Sequence, residues 1–154
     1  MSGNTDLIWK KIAHMHRMRT YLSYSLEQTL LIIPISDWHS LTPPQHETLA
    51  AFRIRFSEFQ EHLGKIMRAI AREEEQATEP FSFVLNYMEK LSILDAAEQW
   101  KVIRELRNAV NHEYEESEQK LNEFFLALTG AVPDLYTWFD RTLAFCEASY
   151  PQKP

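Results

Sequence analysis

Positions 104 to 114 read Arg104-Glu-Leu-Arg107-Asn108-Ala-Val-Asn111-His112-Glu-Tyr114. On a helical wheel at about 100° per residue, with Arg107 at zero, Tyr114 falls at about −20°, Asn111 at about 40°, Arg104 at about 60°, Asn108 at about 100° and His112 at about 140°. One helix face thus gathers two guanidinium groups, two amides, an imidazole and a phenol. Val102, Ile103, Leu106, Ala109 and Val110 fall on the other side and are expected to pack. Arginine presents a fork of donors that fits phosphate. Histidine can give or take a proton near neutral pH. Asn108 sits one turn before His112 and could orient the imidazole or a substrate oxygen. Together these groups suit metal-independent RNA cleavage. A base activates the ribose 2′-OH, arginine stabilises charge developing on phosphorus, and an acid protonates the leaving 5′ oxygen. One copy supplies one such histidine; two copies across a two-fold axis would supply two. A solvated helix face is the plain alternative.

The elements that must position this face are helical. The chain has 154 residues, 45% of them hydrophobic, which suits a single helical domain over residues 1–154. Three glycines and no clean alternation of apolar and polar residues argue against a sandwich or barrel. Ile8, Ile12, Met15, Leu22 and Leu26 mark a first helix over 5–29, and Pro34 closes it. Thr42-Pro-Pro-Gln45 has the form of a capping box with proline at the first helical position. It opens a long helix whose stripe runs Leu49, Phe52, Phe56, Phe59, Leu63, Ile66, Ile70 and reads as core. A polar loop over 73–80 precedes a short helix at 82–91. Asp95 with Glu98 resembles a second capping box and opens a helix from Ala96 to about Tyr114. A fifth helix is expected from Ser117 to Leu128, stopped by Gly130, and a last one starts at Pro133. The expected fold is all-α, an up-and-down four-helix bundle with one or two extra helices.

Arg107-x4-His112-x-Tyr114, with Asn108 directly after the arginine, resembles the Arg-x4–6-His motif of HEPN domains. It is closer still to the Arg-x4-His-x-Tyr form of HepT-type toxins. The helix count and the long second helix are similar to that family's bundle. The resemblance implies a homodimer with motif helices facing across a cleft. It implies a metal-independent endoribonuclease toxic to its own cell, restrained by a nucleotidyltransferase partner of the MNT type. Carried over residue by residue, Arg107 and His112 would be catalytic and Asn108 would support them. Tyr114 would be the residue that the partner adenylylates. Tyr114 neighbours Arg107 on the wheel, so an anionic adduct there could plug a phosphate site. The alternative within the same family is a non-catalytic subunit that binds nucleotide or substrate for a separate nucleotidyltransferase.

Charge qualifies both readings. The net charge is −6, so RNA must be held by a local basic patch. Glu113, Glu115, Glu116 and Glu118 crowd the far side of the motif and could meet a basic partner instead. Arg104 and Asn111 are candidate RNA or partner contacts, and so are Lys10, Lys11, Arg17 and Arg19. These four lie in a first helix with no acid between Asp6 and Glu27. Lys65, Arg68 and Arg72 form a second stripe expected to face solvent. No histidine has a glutamate three residues before it, Cys146 is the sole cysteine, and no glycine-rich phosphate loop exists. No metal site and no cofactor are therefore expected. The longest apolar run, Leu30–Ile35, is far too short to span a bilayer, and a cytoplasmic protein is the expectation.

Overall fold

The structure is a computed structural model that describes residues 3–108 and 117–152. Asn111, His112, Tyr114 and the glutamates at 113, 115 and 116 lie outside the described residues. The described residues form five α-helices: α1 (Gly3–Leu30), α2 (Pro43–Glu73), α3 (Phe81–Lys90), α4 (Ala97–Asn108) and α5 (Glu118–Ser149), with a 3-10 turn at Trp38–Ser40. No strand occurs among the described residues, so the all-α class holds.

Helix α2 begins as its sequence dictates. The Gln45 N–H donates to the Thr42 hydroxyl at 3.3 Å, and the Thr42 N–H donates to the Gln45 side chain at 2.8 Å. Two of the helix's orphan N-terminal donors are thereby satisfied. Its aromatic stripe is the centre of the core: Leu49, Phe52, Phe56, Phe59, Leu63, Ile66 and Ile70 are all at most 1% exposed. Helix α2 touches each of the other four helices, and α1 packs along it.

Two stops rest on residues other than glycine. After α2, Glu75 takes a left-handed φ of 58°, and the Gln76 N–H reaches back to the Ala71 carbonyl at 2.8 Å. After α3, Ser92 takes φ of 60° and the Ile93 N–H reaches the Met88 carbonyl at 3.0 Å. Both are Schellman closures, which satisfy the last carbonyls but normally recruit glycine.

Three expectations about helix ends are corrected. The Ala97 N–H at the start of α4 donates to the Glu89 carboxylate, while Asp95 pairs with Arg141 at 3.1 Å, so α3 rather than Asp95 serves this N–H. The loop expected from residue 73 starts later, because α2 continues through Glu73. Most plainly, the two helices expected around Gly130 and Pro133 are one, α5, running for 32 residues. An interior proline costs roughly 3 kcal/mol and an interior glycine roughly 1. Against this stands an unbroken buried row: Leu121, Phe125, Leu128, Val132, Leu135, Phe139 and Thr142 are all at most 3% exposed. Each fully buried large apolar side chain contributes about 1.5–3 kcal/mol, so the continuous row outweighs both breakers.

Side-chain clasps close the ends. Asn4 donates from Nδ2 to the Ala69 carbonyl at 2.9 Å, near the C-terminal end of α2. Tyr150 donates from its hydroxyl to Glu74 at 2.7 Å, and its own carbonyl accepts from Trp9 Nε1 at 2.8 Å. The loop after α1 is held by Asn122 of α5, which accepts from the Ile35 N–H at 2.5 Å and donates to the Ile35 carbonyl at 2.6 Å.

Candidate functional site

Helix α4 is short, and its inward line is Ala97, Trp100 and Ile103, all buried. The line differs from the expected packing face. Ile103 is 5% exposed and Leu106 is half-buried against the core, but Val102 is 56% exposed. Trp100, the largest apolar side chain of the helix, rotates the buried arc toward the arginines. As a result Arg107, two turns beyond Trp100, leans toward α2 and is half-buried.

A recess of about 270 Å³ opens between the two helices. From α4 come Trp100, Arg104 and Arg107, spaced four and three along one face; from α2 come Gln60, Gly64 and Arg68, each four apart, with Glu61 and Lys65 beside them. Phe81, first residue of α3, also lines it. Gly64 suits this closeness: a Cβ there would lie 3.3 Å from Trp100 Cζ2, a tight contact, and 3.6 Å from Phe81 Cζ. Trp100 cannot retreat easily, because its ring sits 5.8 Å from Trp138 and 6.4 Å from Phe81.

Four cations and one carboxylate line this recess in a chain of net charge −6. Lys65 lies 3.5 Å from Glu61, and Arg68 lies 3.9 Å from Glu79 while its guanidinium covers the Phe81 ring at 5.0 Å. Both ion pairs are exposed and hold their cations only loosely. Four like charges around one recess repel one another, and an anion among them relieves that repulsion. Guanidinium groups in such a cluster have the donor geometry that fits a phosphate.

Gln60 stands out within it. The residue is 1% exposed, and neither its Oε1 nor its Nε2 has a hydrogen-bond partner. Leaving such a group unsatisfied costs about 1–3 kcal/mol, and native structures contain few of them.

The other sequence candidates fall elsewhere. Asn108 is exposed and lines a second groove with Lys101, Glu105 and Arg104, so Arg104 is shared between the two. None of Lys10, Lys11, Arg17 and Arg19 lines the recess. Arg19 is bound up in the fold, 2.6 Å from Asp140 and over the Tyr136 ring at 4.3 Å. Arg17 lies 3.4 Å from His14 Nδ1. Of the stripe expected to face solvent, Lys65 and Arg72 are exposed and Arg68 is half-buried; Lys65 and Arg68 line the recess with the arginines of α4.

Beside the recess, His62 packs edge-on to His14 with ring centroids 5.5 Å apart. Burial, then the charge of Lys65, then His14 lower its pKa below the usual histidine value; Glu61 opposes them. It is neutral at neutral pH and adds no charge to the cluster. Among the described residues no group of three His, Cys, Asp or Glu side chains could hold a metal ion, and no helix is long and apolar enough to cross a membrane. Comparison with known families, characterised proteins and solved structures finds no match to this chain.

Proposed function

We propose that this protein is a HEPN-like, metal-independent endoribonuclease of the HepT toxin type, working as a cytoplasmic homodimer beside an MNT-type nucleotidyltransferase antitoxin. One observation carries the reading: Arg107 of the motif opens, with Arg104, Lys65 and Arg68, onto a single cationic recess. A phosphodiester seated there meets guanidinium groups that stabilise the charge of the transition state. In the proposed reaction His112 takes the proton of a ribose 2′-OH, and the 2′ oxygen bonds to phosphorus. The bond to the 5′ oxygen breaks, and a second acid, His112 of the other copy, protonates that oxygen. The products are a 2′,3′-cyclic phosphate end and a 5′-hydroxyl end. Asn108, one turn before His112 in the sequence, serves as its positioning residue. An AMP group on Tyr114 would add negative charge next to Arg107 and compete for the same cations. The bundle topology of the family is part of the same proposal and is supported by the all-helical architecture.

A second reading rests on the same recess: lined by four cations, it also suits a non-catalytic subunit that presents a nucleotide to a separate nucleotidyltransferase. The test is cleavage of RNA in EDTA by wild type, Arg107→Ala and His112→Ala. The nuclease reading expects cyclic-phosphate products from wild type and none from either variant. An inactive wild type whose Tyr114 carries no adduct by mass spectrometry, and which binds mononucleotide, transfers the conclusion to the subunit. Sedimentation as a monomer at micromolar concentration would remove the composite two-histidine site.

A further inference from the structure

The cations of the recess account for a phosphate but not for Gln60. Its carboxamide offers a donor and an acceptor side by side, both unpartnered in a residue that is 1% exposed. A phosphate could accept from Nε2, but it has no proton to offer Oε1. A single group that completes both ends of this amide at once presents a donor next to an acceptor. A nucleobase edge does so, and glutamine pairs bidentately with the N6 and N7 positions of adenine. The surroundings fit a base as well. The Arg68 guanidinium sits over the Phe81 ring, 5.0 Å from its centroid, and a base can stack on its other face. The volume, about 270 Å³, lies just below the range of about 300–1,000 Å³ typical for drug-sized ligands, which suits one nucleotide unit.

We infer that the α2–α4 recess is a subsite for a single adenine nucleotide, with Gln60 reading the base and Lys65, Arg68, Arg104 and Arg107 holding its phosphate. The inference rests on the RNA reading above and assigns that site its base preference. The amide is closed to water, so reading a base through it requires side chains around it to move.

The experiment measures binding rather than turnover. Fluorescently labelled short oligo(A), oligo(C) and oligo(U) RNAs are titrated in EDTA against the full chain carrying His112→Ala, so that no probe is cut. AMP, CMP and UMP serve as competitors. The expected result is oligo(A) bound at least about tenfold tighter than the other two. Gln60→Leu brings the three within about threefold of one another while keeping the salt dependence. Gln60→Met serves the same purpose should the leucine variant fail to fold. Lys65→Ala weakens all three equally and lowers the slope of log K against log salt by about 0.7, as loss of one phosphate contact to a single strand should. Competition by AMP alone, at equal strength per site, assigns the recess to a free nucleotide; competition only by the strand assigns it to RNA. Equal affinity for all three RNAs, tighter binding of another base, or discrimination that survives Gln60→Leu overturns the inference. The two proposals fail separately. Gln60-dependent adenine binding without cleavage by the His112-containing protein keeps the subsite and removes the nuclease. Cleavage whose base preference ignores Gln60 does the reverse.

Discussion

The same substitution, glycine to alanine, should have opposite effects at two helical positions of this chain. At Gly130 in α5 a Cβ would meet nothing within 4 Å. Alanine there should gain only helix propensity, about 0.8–1.0 kcal/mol. At Gly64 in α2 the same gain is set against a Cβ 3.3 Å from Trp100 Cζ2. That contact is tight by a few tenths of an ångström, and Trp100, 3% exposed and stacked near Trp138, has little room to yield. Overpacking of this kind costs about 1–3 kcal/mol, so Gly64→Ala should come out between about zero and about 2 kcal/mol less stable than wild type. The two variants should differ by about 1–3 kcal/mol, and one kcal/mol moves Tm by about 2–4 °C in a chain of this size. Urea unfolding followed by far-ultraviolet circular dichroism measures both. Near-ultraviolet dichroism should change for Gly64→Ala alone, because only there is a tryptophan displaced. If Gly64→Ala stabilises as much as Gly130→Ala, Trp100 does not wall the recess, and the geometry assigned to the site is wrong.

Glu75→Gly and Ser92→Gly should each stabilise by up to about 1 kcal/mol, since a left-handed backbone costs an L-residue about 1–2 kcal/mol and glycine returns part of that as lost flexibility; a lower urea midpoint in both would argue against these closures. Val102→Asp should change stability by less than about 0.5 kcal/mol, whereas Ile103→Asp, burying an unpaired carboxylate, should cost more than about 3. Equal losses in the pair would put the α4 face back where the wheel alone had it. Asn122→Ala should cost about 1–3 kcal/mol and speed hydrogen exchange at the Ile35 amide, because it strips both backbone partners from a residue only 3% exposed. Lowered in the folded protein, the His62 pKa makes the unfolded chain bind more protons, so its contribution is present above about pH 6.5 and is lost as pH falls through the native value. His62→Gln should therefore lose less stability than wild type between pH 7.5 and pH 5, as denaturant midpoints at the two values would reveal.

What could be read from the residues alone depended on whether one element carried the whole signal. The Thr42 cap and the α2 stripe are local, and both stand as the spacing requires. The closure read from Pro34 holds, since α1 ends at Leu30, whereas the stop read from Gly130 was misplaced for a physical reason. Gly64 and Gly130 lie inside helices, one for close packing against Trp100, while the left-handed stops fall on Glu75 and Ser92. Pro133 was overridden by a buried row that continues on both sides of it. Arg104 and Arg107 were legible as a phosphate-seeking pair on one helix. That Lys65 and Arg68 would face them depends on the approach of α2 to α4, which no pattern within either helix specifies. Gln60 was invisible for the same reason, since a glutamine becomes informative only once its neighbours deny it water.

The clasp among Asn4, Trp9, Ala69, Glu74 and Tyr150 makes the order of the helices along the chain separable from their arrangement in space. Residues at the start of α1 and the residue just past α5 meet directly, with Trp9 bonded to the Tyr150 backbone. A short linker from residue 152 back to residue 3 should therefore close the chain into a ring with little distortion, and new ends could be opened between Ala77 and Thr78. Such a permutant would keep every contact of the recess while beginning at α3 and ending at α2. It also means that segments fused to the two ends leave the bundle side by side, so a donor and an acceptor dye placed there would report the docking of α5 against α1 as one distance.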